Sequence, residues 1–232
     1  DGAAVDEVYG GPEGVIAGAH PGAVIVDSST VPPAVIRRHE AAIRARGAGV
    51  LDAPVSGSVS LAESGALTLM VGGEMADLER ARPVLQAYGN RLFHLGPLGS
   101  GAAMKLAVNA VIFGLNQAVA EGLVLAERAG IPRDWAYDVL AASAVGAPYL
   151  GYKRAAFLEP DATPVAFAVE LAAKDLRLIE ALAAEVGVEL PQSNVNLEVM
   201  DALSSAGQRE RDFSAVAAYL RDRRPAKEGA TA

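Results

Sequence analysis

The chain of 232 residues contains no cysteine, which excludes disulfides, thiolate catalysis and cysteine-ligated zinc. Its three histidines, His20, His39 and His94, lie far apart with no HxxH or HExxH spacing, so no metal site is expected. Basic residues are in deficit. Twenty Lys and Arg against 28 Asp and Glu leave a net charge of −8, which argues against nucleic acid as a partner. Polar residues interrupt the apolar runs short of transmembrane length, and no basic segment leads into an apolar core near the start. Neither a membrane span nor a secretory signal is therefore expected, and a cytoplasmic location fits these absences. No internal repeat is present either. What is plentiful is apolar side chain, at 51% of residues, in a length that suits one large domain or two ordinary ones.

Strand and helix patterns alternate through the first part. After an interrupted start, with a short helix near residues 5–9 and a Gly-Gly-Pro turn, residues 23–26 (AVIV) read as a short buried strand. Pro33 suits the first turn of a helix over 34–46, and GVLDA within 47–53 is a second strand. A third strand at 67–71, an amphipathic helix at 75–88 and a fourth strand at 91–95 follow. This alternation predicts an α/β unit over residues 1–97 with a mainly parallel sheet. From residue 98 to 232 the strands vanish and an all-α domain is expected. Its helices are read near 102–129, 133–143, 149–157, 165–186, 194–205 and 214–220, with Asp212-Phe213-Ser214 as cap chemistry for the last. A disordered tail is expected over 225–232.

The stretch GSGAAMKLAVNAVIFGLN, residues 99–116, is the most informative. Only Lys105, Asn109 and Asn116 break its apolar character after residue 101. At 100° per residue they fall at about 0°, 40° and 20°, one narrow polar seam on a helix otherwise apolar nearly all round. Such a helix is expected to be buried, and a lysine leaving it would be tuned towards proton transfer. The alternative is a snorkelling lysine whose head stays in water.

Three further clusters could carry chemistry. Asp27-Ser28-Ser29-Thr30 ends the first predicted strand, where open α/β sheets bind ligands; the alternative is an ordinary cap turn. Ser56-Gly57-Ser58, after Asp52-Ala53-Pro54-Val55, offers a hydroxyl and free N–H groups for a carboxylate, or else is a surface loop. Lys174 shares the face of Leu171 and Leu178, expected to point inward, with Asp175 beside it. That pair suits a ligand or an interdomain salt bridge.

Taken together, Asp-Ser-Ser-Thr-x-x-Pro, Asp-Ala-Pro-Val-Ser-Gly, Gly-x-Gly-x-x-x-Lys-x-x-x-Asn and Lys-Asp-Leu, in this order, resemble the β-hydroxyacid dehydrogenase family. The resemblance covers residues 1–220. It implies part of a Rossmann domain binding NAD or NADP, then a helical domain of the 6-phosphogluconate dehydrogenase type that dimerises or forms a higher homo-oligomer. It also implies Lys105 as the catalytic proton donor, Asn109 as the residue orienting substrate, and Ser56, Gly57 and Ser58 as the grip on a small carboxylate substrate. Thr30 and Lys174 then contact the cofactor.

Two departures from the family pattern stand out. Ser58 occupies a place that is usually glycine, and no G-x-G-x-x-G precedes Asp27, so the pyrophosphate turn and the ribose selector are absent. The chain is therefore expected to begin after the first half of such a domain. The resemblance implies interconversion of a small β-hydroxyacid and its semialdehyde. Imine reduction on the same architecture and a non-catalytic dimeric scaffold are the rivals.

Overall fold

The computed structural model describes residues 1–223; the tail expected at 225–232 lies outside them. By contacts the chain divides into two compact units. The first comprises Asp1–Asn109 and Leu178–Val188, the second Ala110–Arg177 and the residues from Glu189 onward.

The first unit is built on a mixed five-stranded sheet. In chain order it holds α1 (Gly2–Tyr9), α2 (Val15–Gly18), β1 (Val24–Asp27), α3 (Pro33–Ala45), β2 (Gly49–Asp52), β3 (Val55–Ser56), α4 (Val59–Glu63), β4 (Leu67–Gly73), α5 (Met75–Leu85) and β5 (Gly89–His94). β1 pairs parallel with β2, Asp27 facing Asp52, and β4 pairs parallel with β5. The two parallel pairs are joined antiparallel, β4 running against both β2 and β3. Strand–helix alternation does not reveal that link, because the chain from β3 to β4 is short and carries only the five-residue α4.

Alternation along β2 sends Val50 and Leu51 to opposite faces, and each face has its own core. Val50 packs with Val5, Tyr9, Val35, Ile36 and Ile43 of α1 and α3. Leu51 packs with Leu69, Val71, Leu78, Ala81 and Leu85 of β4 and α5. The two-residue β3 lies outside the strands expected from sequence.

α6 (Ser100–Arg128) starts in the first unit and continues into the second, where α7 (Arg133–Ala142), α8 (Pro148–Leu158), α9 (Val169–Val186), α10 (Pro191–Ser205), a 3-10 turn (Phe213–Ala215) and α11 (Val216–Asp222) follow. The second unit closes on aromatic rings. Phe213 meets Phe113, Phe167 and Tyr149 with centroids 5.7 to 6.2 Å apart. Beside them the buried Lys153 places its ammonium 2.6 and 2.8 Å from the Asp212 carboxylate oxygens. Ser214 N–H also donates to Asp212, so the cap expected there is present. Asn116, fully buried, donates to the Phe213 carbonyl and accepts from the Tyr149 hydroxyl.

The expectation of a helix buried all round is corrected. Leu106 and Phe113 are buried, but Val111 is 71% and Leu125 73% exposed. Exposed positions recur at 104, 107, 111, 118, 121, 125 and 128, steps of three, four and once seven residues that mark one open, largely apolar stripe. Among the described residues α6 is the one helix long and apolar enough to cross a membrane, though its Asn116 is bonded inside the second unit.

Candidate active site

The site is built where β1 and β2 end. Both strands finish on an aspartate, and the two face each other across the parallel ladder. Asp27 turns its carboxylate onto the Ser29 N–H at 2.7 Å, which leaves Ser28 and Ser29 as exposed hydroxyls at the strand end, with Thr30 half-buried after them. An open cleft of about 440 Å³ runs beside them, lined by Val8, Tyr9, Val15 and β1. Burial pushes the Tyr9 phenol up, and the nearby Asp27 and Asp52 carboxylates push it further, so it stays neutral at physiological pH.

Asp52, 1% exposed, does something different. Its Oδ1 accepts from Gly99 N–H at 2.7 Å and its Oδ2 from Ala102 N–H at 2.6 Å. The chain leaving Asp52 forms the serine loop, and the helix that Asp52 holds carries Lys105 one turn further on. In the loop, Gly57 has φ +144°, and a Cβ there would come 2.7 Å from Leu67; only glycine adopts that conformation readily. Ser58 precedes α4, and its hydroxyl lies 2.8 Å from that of Ser60. Lys105 is half-buried rather than enclosed, and Asn109, four residues later on the same face, is buried.

The face that Lys174 shares with Leu171 does not point inward as expected. Lys174 belongs to the second unit and lies half-exposed on the shoulder it shares with Leu171, itself 43% exposed, while Ala172, Ala173, Leu176 and Ile179 form the buried face of α9. The reason is register: the inward stripe is set by the small residues and Leu176, one step round from the face read from sequence. Lys174 Nζ lies 2.8 Å from Asp175, which is the buried member of the pair.

Thus the first unit contains Thr30, Ser56, Gly57, Ser58, Lys105 and Asn109, with Asp52 joining the loop's strand to the lysine's helix. Sequence reasoning quoted Asp52 within its motif and gave it no task. The available signal was an acidic strand end together with a helix start, Gly-Ser-Gly, that lacks an acceptor at Gly99.

Comparison with known proteins decides the class. Residues 1–96 match the sequence model of the NAD binding domain of 6-phosphogluconate dehydrogenase, and residues 99–220 that of the NAD-binding region of NADP-dependent 3-hydroxyisobutyrate dehydrogenase. The chain belongs to the β-hydroxyacid dehydrogenase family. It is 34% identical over 219 residues to an NAD-dependent L-serine dehydrogenase of Pseudomonas aeruginosa, covering 91% of this chain and 73% of that one. It is 33% identical to 2-(hydroxymethyl)glutarate dehydrogenase of Eubacterium barkeri, over 91% and 70% of the two chains. The crystal structure of a 3-hydroxyisobutyrate dehydrogenase from Salmonella typhimurium superposes with a TM-score of 0.86 at 32% identity, over 94% of this chain and 76% of that one. The fold expected for this family, an α/β sheet unit followed by helices, is the one observed.

As a member of this family the protein is an NAD(P)-dependent oxidoreductase acting on hydroxyl groups. The residues at the carboxyl end of the parallel β1–β2 pair fit such a cofactor. Exposed hydroxyls there are donors suited to ribose or carboxamide oxygens, at the sheet edge where open α/β folds hold dinucleotides.

Proposed function

We propose that the protein interconverts a small β-hydroxyacid and its semialdehyde, with Lys105 as the proton carrier. The observation that carries this reading is Lys105 and Asn109, four residues apart at the start of α6, on a helix held to the strand from which the serine loop leaves. When bound, NAD(P) supplies hydride to the carbonyl carbon or takes it up from the alcohol carbon. In reduction the Lys105 ammonium gives its proton to the carbonyl oxygen and is left as neutral amine, which solvent reprotonates. In oxidation the amine takes the hydroxyl proton. Asn109 orients that oxygen. Ser56 and the N–H groups of Gly57 and Ser58 hold the substrate carboxylate without a fixed positive charge, as neutral donors can.

Thr30 and Lys174 are proposed as cofactor contacts. A hydroxyacid is favoured over an imine by the retained lysine and the carboxylate-binding loop, and by relatives named for hydroxyacid chemistry. The exposed stripe of α6 supports a homodimer or higher homo-oligomer, since a face of Met104, Val111 and Leu125 left in water costs about 25 cal/mol per Å². A cytoplasmic site of action, which the lack of cysteine fits, is part of the same reading. The test is a reduction screen with NADH and NADPH against glyoxylate, succinic semialdehyde, tartronate semialdehyde and methylmalonate semialdehyde. Turnover of at least one aldehyde acid is expected. Reduction of cyclic imines with none of the four turned over would overturn the proposal.

A further inference from the structure

A helix is ordinarily capped by the residue just before it, whose side chain accepts one of the free N–H groups of the first turn. α6 departs from this. Gly99 stands before it and has no side chain. The acceptor comes instead from Asp52, 47 residues upstream of Gly99 and 50 upstream of Ala102. A local cap would stabilise the helix equally well and say nothing of where the helix stands. A cap reaching from a strand end fixes one element against another.

The surrounding sequence has been fitted to that contact. A Cβ on Gly101 would come 2.2 Å from the Met70 carbonyl oxygen and 2.9 Å from that of Asp52. A Cβ on Gly72, which pairs with Asp52 across the sheet, would come 2.4 Å from Asp52 Oδ1 and 2.8 Å from both Pro97 O and Ser100 N. Gly99 has φ +93°, and a Cβ there would meet Arg37, whose Nε donates to the Leu98 carbonyl at 2.8 Å. Three glycines thus let the first turn of α6 press onto the ends of β2 and β4, with a carboxylate on one side and a guanidinium on the other.

Two functional segments diverge from this clamp. Ser56 lies four residues beyond Asp52, and Lys105 lies three beyond Ala102, a rise of about 4.5 Å along the helix. We propose that Asp52 is a positioning residue: by holding Gly99 and Ala102 it sets the place of the Lys105 ammonium relative to the carboxylate-binding loop. The inference rests on the proposed role of Lys105. A proton donor displaced by about 1 Å loses up to about a hundredfold in rate, while the loop itself, and so substrate affinity, is left intact.

The test compares Asp52→Asn, Lys105→Ala and the unaltered protein, using glyoxylate or succinic semialdehyde, whichever is reduced faster, below each unfolding midpoint. Asparagine keeps the shape but offers one acceptor where the carboxylate offers two. For Asp52→Asn we expect kcat to fall about tenfold to a hundredfold, with KM and cofactor affinity within about threefold. The primary isotope effect with deuterated reduced cofactor should rise as the chemical step becomes limiting. A cap with a stabilising role alone would lower Tm and leave kcat and the isotope effect at wild-type values, which would overturn the inference. Turnover kept in Lys105→Ala would overturn the proton-donor assignment and this inference with it. An inactive Lys105→Ala beside a fully active Asp52→Asn would overturn the positioning role only. Should Asp52→Asn fail to fold, Arg37→Gln loosens the other side of the same clamp. A several-fold loss of kcat at unchanged KM supports the inference there, and wild-type kinetics would overturn it.

Discussion

Replacing Lys153 by methionine tests the energetics of the second unit. Lys153 is 3% exposed, and its ammonium lies 2.6 and 2.8 Å from the two oxygens of Asp212. It also lies 4.4 Å from the centre of the Phe213 ring. Breaking a buried pair from one side ordinarily costs about 3–5 kcal/mol, because the remaining charge is stranded. Here the carboxylate keeps N–H donors from Ala166, Phe167 and Ser214, which places the expected loss near the lower bound, about 3 kcal/mol. For a chain of this size that is a fall in Tm of about 6–12 °C, read by circular dichroism at pH 7.

The pH dependence gives a second readout. Burial pushes the Asp212 carboxyl up, but the Lys153 ammonium and the Ser214 N–H outweigh it and hold the group below its ordinary value. A carboxylate depressed in the folded state contributes stability that is complete above its unfolded pKa, about 3.9, and is lost as pH falls through the folded value. The gap between wild type and Lys153→Met should therefore be full near neutrality and close in acid below that point. Asp212→Asn added to Lys153→Met should recover part of the loss. A single variant within about 0.5 kcal/mol of wild type at pH 7, the range of ordinary surface changes, would refute the reasoning.

Gly101→Ala should destabilise by about 3 kcal/mol, since its Cβ meets the Met70 carbonyl at 2.2 Å. The same change at Gly151 in α8, where a Cβ meets nothing within 4 Å, should stabilise by about 0.5–1 kcal/mol; paired melts that show equal shifts would contradict both. Val111→Glu with Leu125→Glu should shift sedimentation to the monomer, and an unchanged oligomer would place the interface elsewhere.

Much of this fold was legible in the chain. The breaks at Pro33, Gly47 and Gly130 bound helices that the structure contains, because backbone preference at those residues is local. The antiparallel link through β4 was not legible, since strand direction depends on which neighbour a strand finds. The polar seam of α6 was seen, but its members serve different ends. Asn116 belongs to a buried network with Tyr149 and Phe213, a fact that depends on residues 33 and 97 positions away. Periodicity placed Lys174 with Leu171 and Leu178 yet erred on which way that face turns, because alanines can line a core as well as leucines. Asp52 was hidden for a related reason: a long-range cap leaves no spacing signature near the helix it holds.

The central claim is that Lys105 carries the proton. Single-turnover reduction of an aldehyde acid by Lys105→Ala, followed by the loss of reduced-cofactor absorbance, tests it most directly. The account predicts a rate lower by about 10²–10⁴-fold, with cofactor affinity close to wild type. A rate within a few-fold of wild type would contradict it.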